Sequence, residues 1–340
     1  MASLKDIAKA CGVSVATVSK ALNGQKDIGE ATRKRIVAMA EEMGYMANSA
    51  ARALKTNRSY NLGMLFGDER RSGLGHEYFS TILEGFKAEA ESHGYDITFI
   101  NNHIGDQPMS YVRHCRNRGL DGVVIACVNF HDPRILELSN STIPLVTIDH
   151  VFDGHTAILS DNVNGVDSLV RYAYRKGHRK IAYLHGEDTA VTRGRLTGFH
   201  QACDELGLEI PPEYIIPCVY HDPDLCEEAT RKLLQLPEIP TCILFPDDFS
   251  FIGGHNAFLE AGYTIPMPGV GTKTISAMGY DGINLARMMH LTTYTQNALE
   301  IGRTAARKLI HRIEHPKEFQ PEQILISGQL MEGITVEDLT

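Results

Sequence analysis

The first 45 residues contain three runs in which apolar residues recur at helical spacing. The apolar positions of the first run are Leu4, Ile7, Ala8 and Cys11. Ser3 and Asp6 make a capping-box pattern at its start, and Gly12 ends it. Ser14 is an N-cap candidate for the second run, and residues 30–43 form the third. The pattern therefore predicts a bundle of three short helices.

The first two of these helices have the spacing of a helix-turn-helix. Four apolar residues would pack the second helix across the first: Ala10, Val13, Val18 and Leu22. In that motif the second helix lies in the DNA major groove and presents its outward N-terminal residues to base edges. The outward residues here are Val15, Ala16, Ser19 and Lys20. Val15 and Ala16 can only make apolar contact with thymine methyl groups, whereas Lys20 can reach a guanine edge or a phosphate. A helical hairpin in an ordinary bundle gives the same pattern, so the motif alone leaves both interpretations open.

An Ala-rich run follows the bundle, with Asn48 as its helix cap and Arg52, Leu54 and Lys55 within it. It is too short to be stable as an isolated helix, so it must fold against something else. Residues 57–61 are the predicted linker to the remainder of the chain.

From residue 62 onward, apolar strands and amphipathic helices alternate. The predicted strands are 62–66, 96–101, 122–126, 145–148, 181–184, 241–245, 277–280, 291–295 and 324–326. The predicted helices are 77–93, 109–118, 133–138, 163–176, 193–206, 225–234, 250–261 and 299–313. This alternation predicts an α/β, doubly wound fold of two similar lobes, with a ligand cleft outside the carboxyl ends of the strands.

Acidic residues follow several of these strands, and they are the candidate ligand contacts: Asp149, Asp247, Asp248 and Asp281. Carboxylates accept hydrogen bonds from sugar hydroxyls, and Arg195 can donate in a planar fork. Tyr78 and Phe79 offer an apolar face on which a sugar ring can stack. A lone Asp at a strand end is more often a cap or turn residue, but the collective spacing favours a cleft site. For Asp248, capping the following helix is the expected role.

The charge of the chain is unevenly divided. Residues 1–58 hold ten Lys/Arg and five Asp/Glu, a net charge of +5. The remaining residues hold the other 23 Lys/Arg and 37 Asp/Glu, a net charge of −14, within an overall −9. A basic N-terminal part on an acidic body is expected where only the N-terminal part meets phosphate.

Other compositional features narrow the class of protein. Seven scattered cysteines without a CxxC pair, and an N-terminus without an apolar leader, predict a protein of the reducing cytoplasm. Neither a GxSxG elbow nor an HExxH helix is present, and His311 with His315 lacks a third ligand. Residues 269–274 only superficially resemble a phosphate loop. We therefore expect no catalytic site, metal site or cofactor.

The chain resembles the lac repressor and galactose repressor (LacI/GalR) family of bacterial transcription regulators. The resemblance spans the whole chain and is carried by Lys5-Asp6-Ile7-Ala8, Val13 to Ser19, Leu22-Asn23, Thr32-Arg33, Gly44-Tyr45 and Asn48 to Leu54. Two positions depart from the family pattern: Ala47 replaces the usual proline, and Gly29 replaces the usual capping Ser.

The resemblance implies a repressor that a sugar effector releases from operator DNA, acting as a homodimer because no C-terminal leucine heptad is present. Residues 48–55 would be a hinge helix, with Leu54 as a wedge in the minor groove. The implied DNA-binding residues are Lys5, Ser14, Val15, Ala16, Thr17, Ser19, Lys20, Asn23, Asn48, Arg52, Leu54 and Lys55. The implied effector-binding residues are Tyr78, Phe79, Asp149, Arg195, Tyr220, Asp247 and Asp281.

The implied domains are a helix-turn-helix domain (1–46), a hinge helix and linker (47–60), and an effector-binding and dimerisation domain (61–340) like a periplasmic binding protein. Its N-terminal lobe would comprise about 61–160 and 291–322, and its C-terminal lobe about 161–290 and 323–340. Three strands would then cross between the lobes. A sugar-binding receptor or sugar-processing enzyme with an unrelated helical head is the alternative.

Overall fold

The computed structural model describes residues 2–22, 25, 27–45, 58–67, 73–266 and 273–340. The chain divides into two units, Met1–Ser59 and Tyr60–Thr340. None of the helices in the described part of the chain has the length and apolar character needed to cross a bilayer.

The first unit contains three helices: α1 (Leu4–Cys11), α2 (Val15–Leu22) and α3 (Glu30–Glu42). The predicted capping box starts α1, where Ser3 Oγ accepts from the Asp6 amide and the Asp6 carboxylate accepts from the Ser3 amide over 2.8 Å. Gly12 ends α1 in the left-handed conformation, at φ 61°. Ile7, Val18 and Ile36, one from each helix, are fully buried at the centre of the bundle.

The prediction for one packing residue of this unit is wrong. Ala10 is exposed, and Ala21 is buried in its place. The prediction used spacing alone, whereas the crossing angle of two helices decides which flank of each apolar stripe is covered. Gly29 precedes α3 without a side-chain cap, in keeping with the departure noted at that position.

The first lobe of the second unit has a six-stranded sheet in which every pairing is parallel. Its strands, in spatial order, are β13 (Gln323–Ile326), β7 (Thr156–Ser160), β6 (Leu145–Ile148), β5 (Gly122–Ala126), β1 (Asn61–Phe66) and β2 (Asp96–Phe99). Its helices are α4 (Glu77–Ser92), α5 (Tyr111–Arg118), α6 (Pro133–Ser139) and α12 (Ala298–Glu314). The central strand β5 is buried along its whole length, as helices on both faces require. A short hairpin, β3 (His103–Ile104) and β4 (Gln107–Pro108), leaves the edge of this lobe.

The second lobe has a six-stranded sheet with one antiparallel pair, between its last two strands in sequence. Its strands, in spatial order, are β14 (Gln329–Met331), β12 (Thr292–Thr295), β11 (Ser276–Asp281), β10 (Cys242–Leu244), β8 (Ile181–His185) and β9 (Ile215–Pro217). Its helices are α7 (Asn162–Arg175), α8 (Ala190–Leu206), α9 (Pro223–Leu234), α10 (Phe251–Glu260) and α11 (Asn284–Met288). The predicted fold class, with its helical N-terminal unit and two-lobed α/β body, is confirmed.

The lobe assignment of two tail strands is wrong. Strand 291–295 was expected in the first lobe, but β12 pairs with β11 in the second. Conversely, residues 323–326 were expected in the second lobe, but β13 pairs with β7 in the first. A strand's apolar pattern shows that it is buried but not which sheet buries it.

The chain crosses between the lobes at three places: from β7 to α7, from β12 to α12, and from β13 to β14. Two of the crossings contact each other, because the Asp161 amide donates to Ile326 O over 3.2 Å and Ser327 Oγ donates to the Asp161 carboxylate over 3.1 Å. The Gly328 amide also donates to the Tyr294 hydroxyl over 2.8 Å. The crossings therefore form one hydrogen-bonded layer between the two sheets.

Candidate functional site

Most of the predicted DNA contacts that the structure describes lie on α2 or at its start. Val15 is 40% exposed at the first position of the helix, and Ala16 beside it is also exposed. Ser14 caps α2 by accepting from the Thr17 amide over 3.0 Å. Its hydroxyl also lies 2.8 Å from Thr17 Oγ1, so these two residues fix the start of the helix.

Two of the predicted DNA contacts in this unit are cationic. Lys5 is exposed on α1, and Lys20 Nζ lies 2.5 Å from the Asp27 carboxylate in a solvent-exposed ion pair. Such an exposed pair contributes little to stability. Ser19 is half-buried. The predicted contacts Asn23, Asn48, Arg52, Leu54 and Lys55 lie outside the described residues.

In the body, Asp149 lies directly after β6, with its backbone in the left-handed region at φ 56°. Its carboxylate accepts from the Ser160 amide over 2.7 Å and from Ser160 Oγ over 3.1 Å. Burial raises the pKa of Asp149, although the hydrogen bonds from Ser160 and the charge of Arg195 oppose the shift. Because Ser160 ends β7 at the first crossing, Asp149 is fixed directly to the layer between the lobes.

The Tyr78 hydroxyl lies among three acceptors. It is 3.1 Å from Ser160 Oγ, 3.3 Å from Gln296 Oε1 and 3.5 Å from Asp149 Oδ2. Burial raises the pKa of Tyr78 well above its ordinary value, so the phenol keeps its proton. A single hydroxyl hydrogen is donated to one acceptor at a time, which leaves acceptor capacity in this cluster for a ligand hydroxyl.

Arg195 lies on α8 and is 3% exposed. Its Nε donates to Asn162 Oδ1 over 2.9 Å and its Nη1 to Pro246 O over 2.8 Å. The guanidinium stacks on the Tyr280 ring, 3.6 Å from the ring centroid, and lies 5.3 Å from the Tyr220 centroid. Since a guanidinium has five N–H groups, these two hydrogen bonds leave donors for a ligand.

Asp281 lies beside this guanidinium at the end of β11. Its Oδ1 accepts from Gln296 Nε2 over 2.7 Å and lies 3.9 Å from Arg195 Nη2. Burial raises the pKa of Asp281 to about 7; Asp247 and Asp149 add to the rise, while Arg195 and Gln296 oppose it. The carboxyl is therefore poised to change charge near neutral pH.

Tyr220 closes one side of this cluster. Its hydroxyl lies 2.8 Å from Thr192 Oγ1 on α8, and burial raises the pKa of Tyr220 above its ordinary value. Its ring packs so closely on Gly186 that a Cβ there would lie 2.1 Å from it. The glycine is thus needed for this aromatic wall to approach the backbone.

Two side chains predicted to contact the effector instead pack or form hydrogen bonds within their own lobe. Phe79 is fully buried and stacks on Phe66 at 3.4 Å between ring centroids, inside the core of the first lobe. Asp247 is 1% exposed and accepts from the His221 amide, the Ser250 amide and Ser250 Oγ. The Phe79 ring is thus kept in the core, whereas Asp247 lies near enough to Asp281 to raise its pKa while bonding only groups of its own lobe.

The expected capping role of Asp248 is wrong. Its carboxylate accepts from the Gly282 and Ile283 amides and from Thr293 Oγ1, so it ties together the loop after β11. Asp247, which bonds the Ser250 amide over 2.7 Å, is the one that fixes the start of α10. The sequence offered two adjacent carboxylates, and only the turn geometry decides which of them points along the helix.

Four polar residues of the cluster were not predicted from the sequence: Ser160, Asn162, Thr192 and Gln296. Ser160 and Asn162 flank the first crossing, and Gln296 lies on the second. Their signal was weak because a strand end with a small polar residue is common in any α/β protein.

Two family models match the chain. The model described as "Bacterial regulatory proteins, lacI family" matches residues 3–48. The model described as "Periplasmic binding proteins and sugar binding domain of LacI family" matches residues 63–333.

Individual proteins are similar over the full length. The ribose operon repressor of Escherichia coli K12 is 30% identical over 339 residues, covering 98% of this chain and 99% of that protein. The structure of the lac repressor dimer bound to operator and the anti-inducer ONPF superposes with a TM-score of 0.78 at 21% identity, covering 99% of each chain. A regulator of Enterococcus faecium with bound ribose superposes with a TM-score of 0.68 at 23% identity, covering 82% of this chain and all of that chain. At these sequence identities the two superpositions show that the fold is shared and nothing more.

Proposed function

This chain belongs to the lacI family of bacterial regulatory proteins, and from that premise we propose that it is a transcriptional repressor whose grip on operator DNA is controlled by a small sugar bound between its lobes. In this proposal residues 1–46 recognise the DNA sequence and residues 61–340 bind the effector and dimerise. Residues 47–60 form the hinge and linker between these two parts. It acts in the bacterial cytoplasm, and its mechanism includes no catalytic step.

DNA recognition in this proposal rests on α2. The exposed Val15 and Ala16 offer apolar contact to thymine methyl groups, and Ser14 and Thr17 set the angle at which the helix begins. Lys5 and Lys20 contribute phosphate contacts, which add affinity without sequence preference. A dimer would place two such helices on the half-sites of a near-palindrome.

The effector site consists of Tyr78, Asp149, Arg195, Tyr220 and Asp281, with Gln296 as a shared partner. When Asp149 and Asp281 are both ionised, two carboxylates and one guanidinium give this set an excess of negative charge, so an uncharged, hydroxyl-rich molecule fits better than an anion. Hydroxyl groups can donate to both carboxylates and accept from Arg195.

The observation that carries the proposal is that the site residues bond the crossings themselves. Asp149 bonds Ser160 at the first crossing, and Asp281 bonds Gln296 at the second. A ligand that forms hydrogen bonds with either carboxylate therefore also affects the crossings about which the lobes move. This is the arrangement expected of a protein whose output is a change in lobe geometry rather than a chemical reaction.

A gel-shift experiment tests the proposal against the receptor and enzyme alternative. Operator fragments selected from random duplexes should be retarded by the full chain, and a matched chain lacking residues 1–58 should retard none of them while keeping the same sugar affinity. If the full chain selects no duplex, the regulator assignment is rejected.

A further inference from the structure

Two consecutive residues at the start of α4 in the first lobe contact the second lobe. The His76 ring stacks on the His221 ring with 3.7 Å between centroids and 29° between planes. Beside it, Glu77 Oε1 accepts from the Asn284 amide at the start of α11 over 2.8 Å. Neither contact belongs to the effector site, although Tyr78 and Tyr220 of that site are their sequence neighbours.

The second lobe positions His221 independently of the first. Its backbone is left-handed at φ 55°, and its amide donates to the Asp247 carboxylate over 2.9 Å. Its ring also stacks on the Phe249 ring, with 5.1 Å between the ring centroids and 16° between the ring planes. In the described part of the chain, its buried Nε2 has no hydrogen-bond partner, so stacking is what the ring contributes.

The first lobe likewise positions His76. Its Nδ1 accepts from the Phe79 amide over 3.4 Å and thereby caps α4. A ring nitrogen that accepts this bond carries no proton, so the ring meets His221 with its position set by the helix start. Each imidazole is thus held by its own lobe, and the stack between them forms only when the lobes are together.

We propose that His76 and Glu77, with His221 and Asn284, form a clasp that favours the closed arrangement of the lobes whichever effector the protein binds. Closing the lobes forms the ring stack and the Glu77–Asn284 bond together, and opening breaks both. The two contacts are therefore coupled through lobe closure, although they share no atom.

Hydrogen exchange in the ligand-free full chain tests this coupling. The readout is the Asn284 amide, and the variants are His76→Asn and His221→Asn. Asn keeps the helix cap at position 76 and tolerates the left-handed backbone at position 221, so each variant removes only the ring. We expect exchange at Asn284 to rise roughly 2- to 10-fold in either variant, the range that an aromatic pair supplies.

Two comparisons make the result decisive. His103→Asn, at an exposed histidine of the first lobe, should change nothing at Asn284. Unchanged exchange at Asn284 in both ring-deleted variants overturns the proposal. An equal rise at Val124 in the buried strand β5 also overturns it, because the effect would then be global unfolding.

Discussion

Gln296 donates from Nε2 to the Asp281 carboxylate over 2.7 Å, while its Oε1 lies 3.3 Å from the Tyr78 hydroxyl. Tyr78 belongs to the first lobe, Asp281 to the second, and Gln296 to the crossing between them. One buried amide therefore joins the two halves of the proposed effector site at a crossing.

Replacing this amide should uncouple the two halves. Gln296→Leu keeps the volume but removes a donor to a carboxylate, an interaction worth about 1.5–3 kcal/mol. We expect sugar affinity to fall at least about 10-fold with operator affinity unchanged, measured by calorimetry and fluorescence anisotropy. Gln201→Leu, on the exposed face of α8, is the matched control and should leave both affinities alone. Equal losses in both affinities for the position-296 variant would mean general damage instead.

Asp281 should impose a pH dependence on stability. Its pKa is about 7 in the folded protein against an ordinary 3.8, so between these values the folded state holds a proton that the unfolded chain releases. This contribution to stability is present at low pH and is lost as pH rises toward 7. We expect the unfolding free energy of the native chain to fall relative to that of Asp281→Asn as pH rises from 5 to 8, measured by urea denaturation, because Asn stays neutral as the protonated carboxyl does.

The comparison with the variant is needed because other groups titrate in the same window. Burial lowers the pKa of His155 and His178, which makes their contribution to stability rise with pH. Both histidines are present in the two proteins, so taking the difference between their unfolding free energies cancels those contributions. Parallel curves for the two proteins between pH 5 and 8 would show that Asp281 titrates at its ordinary value.

The charge of the effector site should exclude phosphorylated sugars. A phosphate about 6 Å from a carboxylate, at an effective dielectric constant near 20, is disfavoured by about 3 kcal/mol per charge pair. At a pH above the raised pKa of Asp281, where the carboxylates are ionised, a sugar that binds should therefore lose affinity at least about 100-fold as its phosphate ester, in calorimetric titrations at moderate salt. Tighter binding of the ester would indicate that Arg195 governs the site and the carboxylates do not.

The helix cap of α2 can be tested apart from the body. Ser14→Ala removes the acceptor of the Thr17 amide and should destabilise the N-terminal unit by about 1 kcal/mol. Ser14→Asp keeps the cap and should retain stability. Hydrogen exchange at the Thr17 amide distinguishes the two variants. Equal exchange in both would show that the Ser14 side chain does not stabilise the start of α2.

The alternation of strands and helices was readable from the sequence because continuous apolar strands such as Gly122–Ala126 leave little ambiguity. The N-terminal helices were equally readable from their caps, Ser3, Gly12 and Ser14. Strand partners were not, as β12 and β13 show, because pairing depends on residues far away in sequence. The strands β3, β4, β7, β9 and β14 and the helix α11 were missed for the same reason, since tertiary contacts define them.

The candidate site was predicted in outline and not in detail. Asp149, Arg195 and Asp281 lie near one another, although Asp149 follows a strand of the first sheet, Asp281 ends a strand of the second and Arg195 lies on α8. Phe79 does not join them, since the first turn of α4 directs one of two adjacent aromatic residues inward onto Phe66. Gln296 could not have been selected, because its importance comes from the crossing and not from its neighbours in sequence.

In the proposed mechanism, sugar and operator compete through one change in lobe geometry. By linkage, a sugar that weakens operator binding by some factor must itself bind more weakly by that factor when operator is present. The decisive measurement is therefore the dissociation constant of one bound, unphosphorylated sugar with and without saturating operator. We predict a higher constant with operator, by the factor measured in the reverse titration; identical constants would contradict the account.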